Sequence, residues 1–207
     1  MTTHFGALVA AALGARVAQL DPRIAARFGS DDGHLRFQGV MQLVSCSPLG
    51  WLAAQLMRPW SLLPAAQTRA VPTVFDIEAR AGQLNKRRTY RFAIDNVFTF
   101  QSRVGAAPTL HERFDGPFGM RLALDVIDGA LRFRDDGYFV AIGRFRFTLP
   151  GRRWLPRFEL IHSSMSAQRF AVVLRVSHAL LGTLFVQRGE FERVAGGRGD
   201  ASAYIVA

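Results

Sequence analysis

Catalysis or metal binding in this chain would have to be built from five histidines, at positions 4, 34, 111, 162 and 178, one cysteine, Cys46, and sixteen Asp or Glu. A zinc or catalytic metal site takes three or four such groups at short strand or helix spacings, and these histidines are scattered. Acyl transfer needs a Ser or Cys held against a base. No Gly-x-Ser-x-Gly turn occurs, and Cys46 stands between Ser45 and Ser47 with no histidine near it in sequence, as a buried, inert thiol does. Gly196-Gly197-Arg198-Gly199 opens no helix and lacks the lysine or glycine spacing of a phosphate-binding loop. The residues therefore predict no catalytic group, no metal and no cofactor.

What stands out instead is polar side chains on apolar strand faces. Glu112 has the parity of Leu110 and Phe114, His162 that of Phe158 and Leu160, and Tyr90 and Ser102 are milder cases. A carboxylate facing inward is costly unless partnered, so Glu112 is expected to meet His162 or an inward arginine. Two readings follow: a satisfied polar pair in a solid core, or polar anchors for a ligand. The candidate ligand site is Glu112, His162, Tyr90 and Ser102, walled by Phe98, Phe100, Met120 and Leu122 and covered by Trp51, Leu52 and Met57.

Composition bears on what such a site would hold. Seventeen Phe stand beside three Tyr and three Trp, and Phe, having no polar handle, suits a dry interior. The net charge is +10 with a pI near 11.3, yet the single lysine, Lys86, and the arginines are spread along the chain with no recognition motif. A specific nucleic-acid partner is not expected. One cysteine allows no internal disulfide, which points to a reducing, cytoplasmic setting. No apolar run reaches the roughly 20 residues a spanning helix needs, because Arg16 and Arg58 interrupt the two best stretches.

The elements that must position these residues change period along the chain. Helical spacing runs over residues 5–29, with Asp21-Pro22 as a helix start, Gly29 as its stop, and Arg16, Arg23 and Arg27 on one solvated face. After a turn at 30–33, residues 34–44 alternate as a half-buried strand. Ser47-Pro48 opens an almost wholly apolar helix over 48–60, which core packing, a pocket or a membrane surface must cover. From Val71 to Val194 the period is 2, in ten or eleven short runs separated by turn residues such as Asp128-Gly129. Residues 195–207 read as a flexible tail, and 1–194 as one domain.

Short strands joined by tight turns favour antiparallel neighbours, and a sheet this long must curl. The fold class is mainly β (α+β): a strongly curved antiparallel sheet or partly closed barrel, with two or three N-terminal helices and one helix against the concave face. A two-sheet sandwich is the alternative. The function this implies is non-enzymatic binding of an apolar or lipid-like small molecule inside a Phe-lined curved sheet. The alternative is an accessory module contacting a partner protein or an anionic membrane surface, at the membrane periphery. An enzyme working through Glu112 and His162 is a third reading.

Several segments taken in order resemble a known family. They are the Leu-Asp-Pro before Arg23, Phe37-Gln38-Gly39-Val40-Met41, Leu62-Leu63-Pro64, Phe100-Gln101-Ser102, Leu110-His111-Glu112-Arg113-Phe114, Leu149-Pro150, and His178 to Phe185 with Gly189-Glu190-Phe191. Together they are similar to the bacterial family catalogued as domain of unknown function 4166. The resemblance spans residues 10 to 194 and implies a bacterial protein and, from relatives joined to one, a reductase or epimerase partner. It implies no activity and no catalytic residues.

Overall fold

The computed structural model describes residues 5–28, 34–60, 62–80, 83–93, 96–105, 109–151 and 153–194. Its alternating stretches form β1 (His34–Cys46), β2 (Val71–Arg80), β3 (Gln83–Ala93), β4 (Asn96–Gly105), β5 (His111–Phe114) and β6 (Phe118–Ile127). β7 (Ala130–Ile142), β8 (Phe145–Thr148), β9 (Arg157–Ser164), β10 (Arg169–His178) and β11 (Gly182–Arg193) follow. All pairings are antiparallel, in the order β6-β5-β4-β3-β2-β1-β11-β10-β9-β7-β8, and a further β6–β7 pairing closes ten of the strands into a barrel. The sheet is thus fully closed, and not a sandwich. β8 is the extra strand: it pairs with Phe139–Ile142 of β7, beyond the stretch Leu131–Arg134 that β9 occupies.

Local chemistry explains the path. Asp128 and Gly129 take positive φ, 50° and 79°, as the two central residues of a tight hairpin turn require. A register shift between Met41 and Leu43 moves the inward parity of β1 from Leu35, Phe37 and Met41 to Val44 and Cys46, and such a bulge adds the bend that closure needs. Phe37, Phe170, Phe185, Phe191, Tyr90 and Leu84 fill one part of the interior, while Met120, Leu122, Leu124 and Leu131 fill the other with Leu13, Leu20 and Ile24.

Helices cover both ends. At one end lie α1 (Phe5–Leu13), a 3-10 turn (Gly14–Gln19) and α2 (Pro22–Phe28), tied to the β6–β7 turn where the Asp21 N–H donates to Gly129 O at 2.9 Å. Arg27 is not solvated with Arg16 and Arg23: it is 4% exposed, because its side chain turns into the barrel mouth. At the other end α3 (Pro48–Leu56) follows β1, with Ser47 Oγ accepting from the Gly50 N–H at 3.1 Å. Gly50 lets α3 sit directly on the start of β11, since a Cβ there would stand 1.9 Å from Leu184 O. A short 3-10 turn, Arg58–Trp60, ends this segment. No described helix is long and apolar enough to cross a membrane. The expected Gly29 stop, the turn at 30–33 and the tail 195–207 lie outside the described residues.

Candidate functional site

Alternation on β3 is what builds the interior polar cluster. Leu84 and Tyr90 point inward, and the residues of equal parity between them are Lys86 and Arg88. Two cations thus enter a Phe-lined interior. Lys86 Nζ lies 2.5 Å from Glu112 Oε1 on β5, and the same oxygen accepts from Ser102 Oγ on β4 at 2.5 Å. The three residues sit on consecutive strands, so register alone brings them together. The carboxylate is 4% exposed, and its charge is matched by the one lysine of the chain.

A second cluster spans the barrel. Tyr90 Oη donates to Gln187 Oε1 on β11 at 2.9 Å and accepts from Arg88 Nη1 at 3.2 Å. The Arg88 guanidinium lies 5.2 Å from the Phe75 ring and 5.7 Å from the Phe100 ring, and stacking of this kind partly compensates a cation for lost water. Gln187 is 1% exposed, and its Nε2 has no acceptor.

The third cluster is His162 and Arg27. Arg27 Nη1 lies 3.0 Å from His162 Nε2, and Nη2 donates to the carbonyls of Ser166 and Arg169 at 3.0 and 3.1 Å. Arginine can only donate, so Nε2 accepts and the ring proton sits on Nδ1. His162 stacks on Phe170 with ring centroids 4.3 Å apart. Burial, and then the adjacent Arg27 charge, push its pKa down to about 3, so the ring is neutral at physiological pH.

That shift makes folding pH-dependent with a definite sign. An unfolded histidine takes up a proton below about 6.5, whereas folded His162 does so only near 3. The contribution is complete above 6.5 and is lost as pH falls toward 3. Between pH 7 and pH 5 the wild type is expected to lose about 2 kcal/mol more than His162→Gln, which keeps an acceptor for Arg27 but does not titrate. Urea unfolding of both proteins at the two pH values checks this.

Glu112 and His162 therefore do not pair as expected: each has a different cation, Lys86 and Arg27. They share only a cavity of about 50 Å³, bordered also by Lys86, Arg88, Phe75, Phe133, Phe158 and Phe170. The Phe98 ring lies 5.8 Å from Tyr90 and the Phe100 ring 5.9 Å from Phe114. Met120 and Leu122 are buried against the α1 and α2 side of the core. None of these four borders the cavity, nor does Tyr90 or Ser102. Trp51 and Leu52 are 48% and 50% exposed on α3, and Met57 caps its C-terminus, half-buried. Cys46 is a buried free thiol, and burial raises its pKa. Among the described residues no group of three or more His, Cys, Asp or Glu could hold a metal ion.

The α3 end of the barrel has a different character. Going round the rim, α3 exposes Leu49, Trp51, Leu52 and Leu56, the β10–β11 turn exposes Leu180 and Leu181, and the β8–β9 connection exposes Trp154. Ile142, Phe145 and Phe147 of β7 and β8 are exposed beside them. These elements follow β1, β11, β10, β9 and β7, which are consecutive neighbours in the sheet. Segments 47–70, 142–156 and 178–182 carry six arginines and no Asp or Glu. Arg58, Arg69, Arg144, Arg146 and Arg153 are exposed there.

No curated protein and no solved structure matches the chain. Residues 20–191, most of the barrel together with α2 and α3, match the family described as Domain of unknown function (DUF4166), and the chain belongs to that family.

Proposed function

We propose that this chain is an interaction module that seats the α3 rim of its barrel on an anionic membrane surface. The observation that carries the reading is the continuous run of exposed Leu, Trp and Phe along neighbouring strand ends, with Leu56, Trp154 and Leu180 each 68% exposed, inside segments whose formal charges are all positive. Single exposed apolar residues are ordinary, but a contiguous patch marks an interaction surface. Aromatic and aliphatic side chains flanked by arginine suit the boundary between headgroups and acyl chains, and each basic residue near an anionic leaflet contributes about 1 kcal/mol. The cavity that Glu112 and His162 share measures about 50 Å³, which supports this reading over a lipid held at those groups, because sites for drug-sized ligands are about 300–1,000 Å³.

Co-sedimentation with vesicles tests it. The protein is expected to pellet with vesicles containing 30% phosphatidylglycerol at low salt and to be released at high salt, since exposed charges are screened there. The double variant Leu52→Glu/Leu181→Glu is expected to weaken binding by at least about tenfold, the equivalent of about 1.4 kcal/mol. Equal binding of wild type and variant, or a protein that ignores anionic vesicles, would reject the proposal. Self-association lost in the same double variant would instead assign the rim to a protein partner.

The barrel is also compatible with ligand binding, and the apolar-ligand reading keeps one support, the polar groups Glu112 and His162 on an otherwise Phe-lined wall. On that reading the interior would have to open to admit the ligand.

A further inference from the structure

We propose that the cavity beside Arg88 is a monoanion site, taking a carboxylate of about acetate size. The inference is independent of membrane docking and rests on a mismatch of charge and of hydrogen-bond donors inside the barrel. Three charged side chains border the cavity: Lys86, Arg88 and Glu112. Lys86 and Glu112 cancel, at 2.5 Å. Arg88 donates to the Tyr90 hydroxyl and lies over two Phe rings, and no carboxylate among the described residues pairs with it. His162, on the same wall, is neutral. The wall therefore carries one positive charge that no carboxylate among the described residues balances, on a side chain that is half-buried.

Hydrogen-bond donors at Arg88 point the same way. Arg88 brings five N–H groups and no acceptor, and one bond from it is satisfied within the protein, that to Tyr90. The guanidinium is rich in donors and short of acceptors. A carboxylate brings acceptors only, and its planar pair of oxygens matches the fork of a guanidinium.

Size and charge set the class of ligand. About 50 Å³ exceeds what one water needs and holds a few waters or a group of about four heavy atoms. A dianion would leave a second charge unmatched, and a longer chain would meet the rings of Phe75, Phe133, Phe158 and Phe170.

Two measurements on the intact protein test this. In thermal unfolding at fixed pH and ionic strength, 100 mM sodium acetate is expected to raise the midpoint by several degrees over 100 mM sodium gluconate, a carboxylate too large to enter. Sodium hexanoate, presenting the same head group on a longer chain, is expected to behave as gluconate does. Arg88→Met should abolish the acetate effect, and Arg88→Lys should reduce it by keeping the charge without the fork. An acetate shift that is absent in the wild type, or as large in Arg88→Met, overturns the site, and hexanoate matching acetate overturns the size limit. Should Arg88→Met fail to fold, the wild-type Arg88 Nε–Hε resonance decides: it must move on acetate titration, and a resonance that stays in place overturns the proposal.

Discussion

Glu112→Leu is expected to destabilise the barrel by about 3–5 kcal/mol, because removing one member of a buried pair leaves the other charge without a counterion. Lys86 is 14% exposed at its side chain and Glu112 is 6%, so water cannot readily replace the lost carboxylate. Ser102 Oγ loses its acceptor in the same change. For a chain of this length each kcal/mol moves the thermal midpoint by about 2–4 °C, so the fall should be plain in a scanning experiment. The double variant Lys86→Met/Glu112→Leu removes both charges and keeps apolar volume. It is expected to recover most of the loss, as replacing a whole buried pair by packed apolar groups usually does. A double variant as unstable as Glu112→Leu alone would mean that Lys86 is not what holds the carboxylate, and the cycle reads that coupling directly.

Gly39→Ala should cost about 3 kcal/mol or more, for a reason of backbone spacing. Gly39 pairs with Phe191 across the seam where β1 meets β11. A Cβ at this position would lie 2.0 Å from Glu190 O and 2.8 Å from the Phe191 Cα. Both are main-chain atoms of a strand held on its other side by β10, so neither can turn aside as a side-chain tip does, and overpacking that must shift backbone sits at or above the usual 1–3 kcal/mol. Gly143→Ala serves as contrast. Nothing lies within 4 Å of a Cβ there, and the cost is only that of its positive φ of 59°, about 1 kcal/mol. Comparable losses at the two positions, measured by urea unfolding, would show that the seam yields and that close approach is not why glycine stands at 39.

Much of the barrel was legible because its signal is local. Val71, Thr73, Phe75, Ile77 and Ala79 share one parity, with Asp76, Glu78 and Arg80 on the other, and they form the inward face of β2 as that pattern implies. Asp128-Gly129 marks the β6–β7 hairpin, and Ser47-Pro48 opens α3. Glu112 and His162 stand out for the same reason, as polar residues at inward parity, and both are buried. Lys86 and Arg88 lie in an unbroken polar run, Asn85 to Thr89, that shows no alternation of its own; with β3 beginning at Gln83 their parity is that of Leu84 and Tyr90. Arg27 was hidden by helical spacing, which sets it beside Arg16 and Arg23 but cannot tell that the β9–β10 turn brings the carbonyls of Ser166 and Arg169 within reach of α2.

By itself the amino-acid order determined that this chain is a run of short antiparallel strands with an apolar inside, because a side-chain period of 2 and a tight turn are properties of a few consecutive residues. Only the tertiary structure decided that Glu112 faces Lys86, that Tyr90 reaches Gln187 across the barrel, and that about 50 Å³ is left beside Lys86 and Glu112. Which inward groups meet depends on strand register and on the seam where β1 joins β11. What space remains depends on the volumes of all the side chains packed at once, and no local pattern contains either quantity.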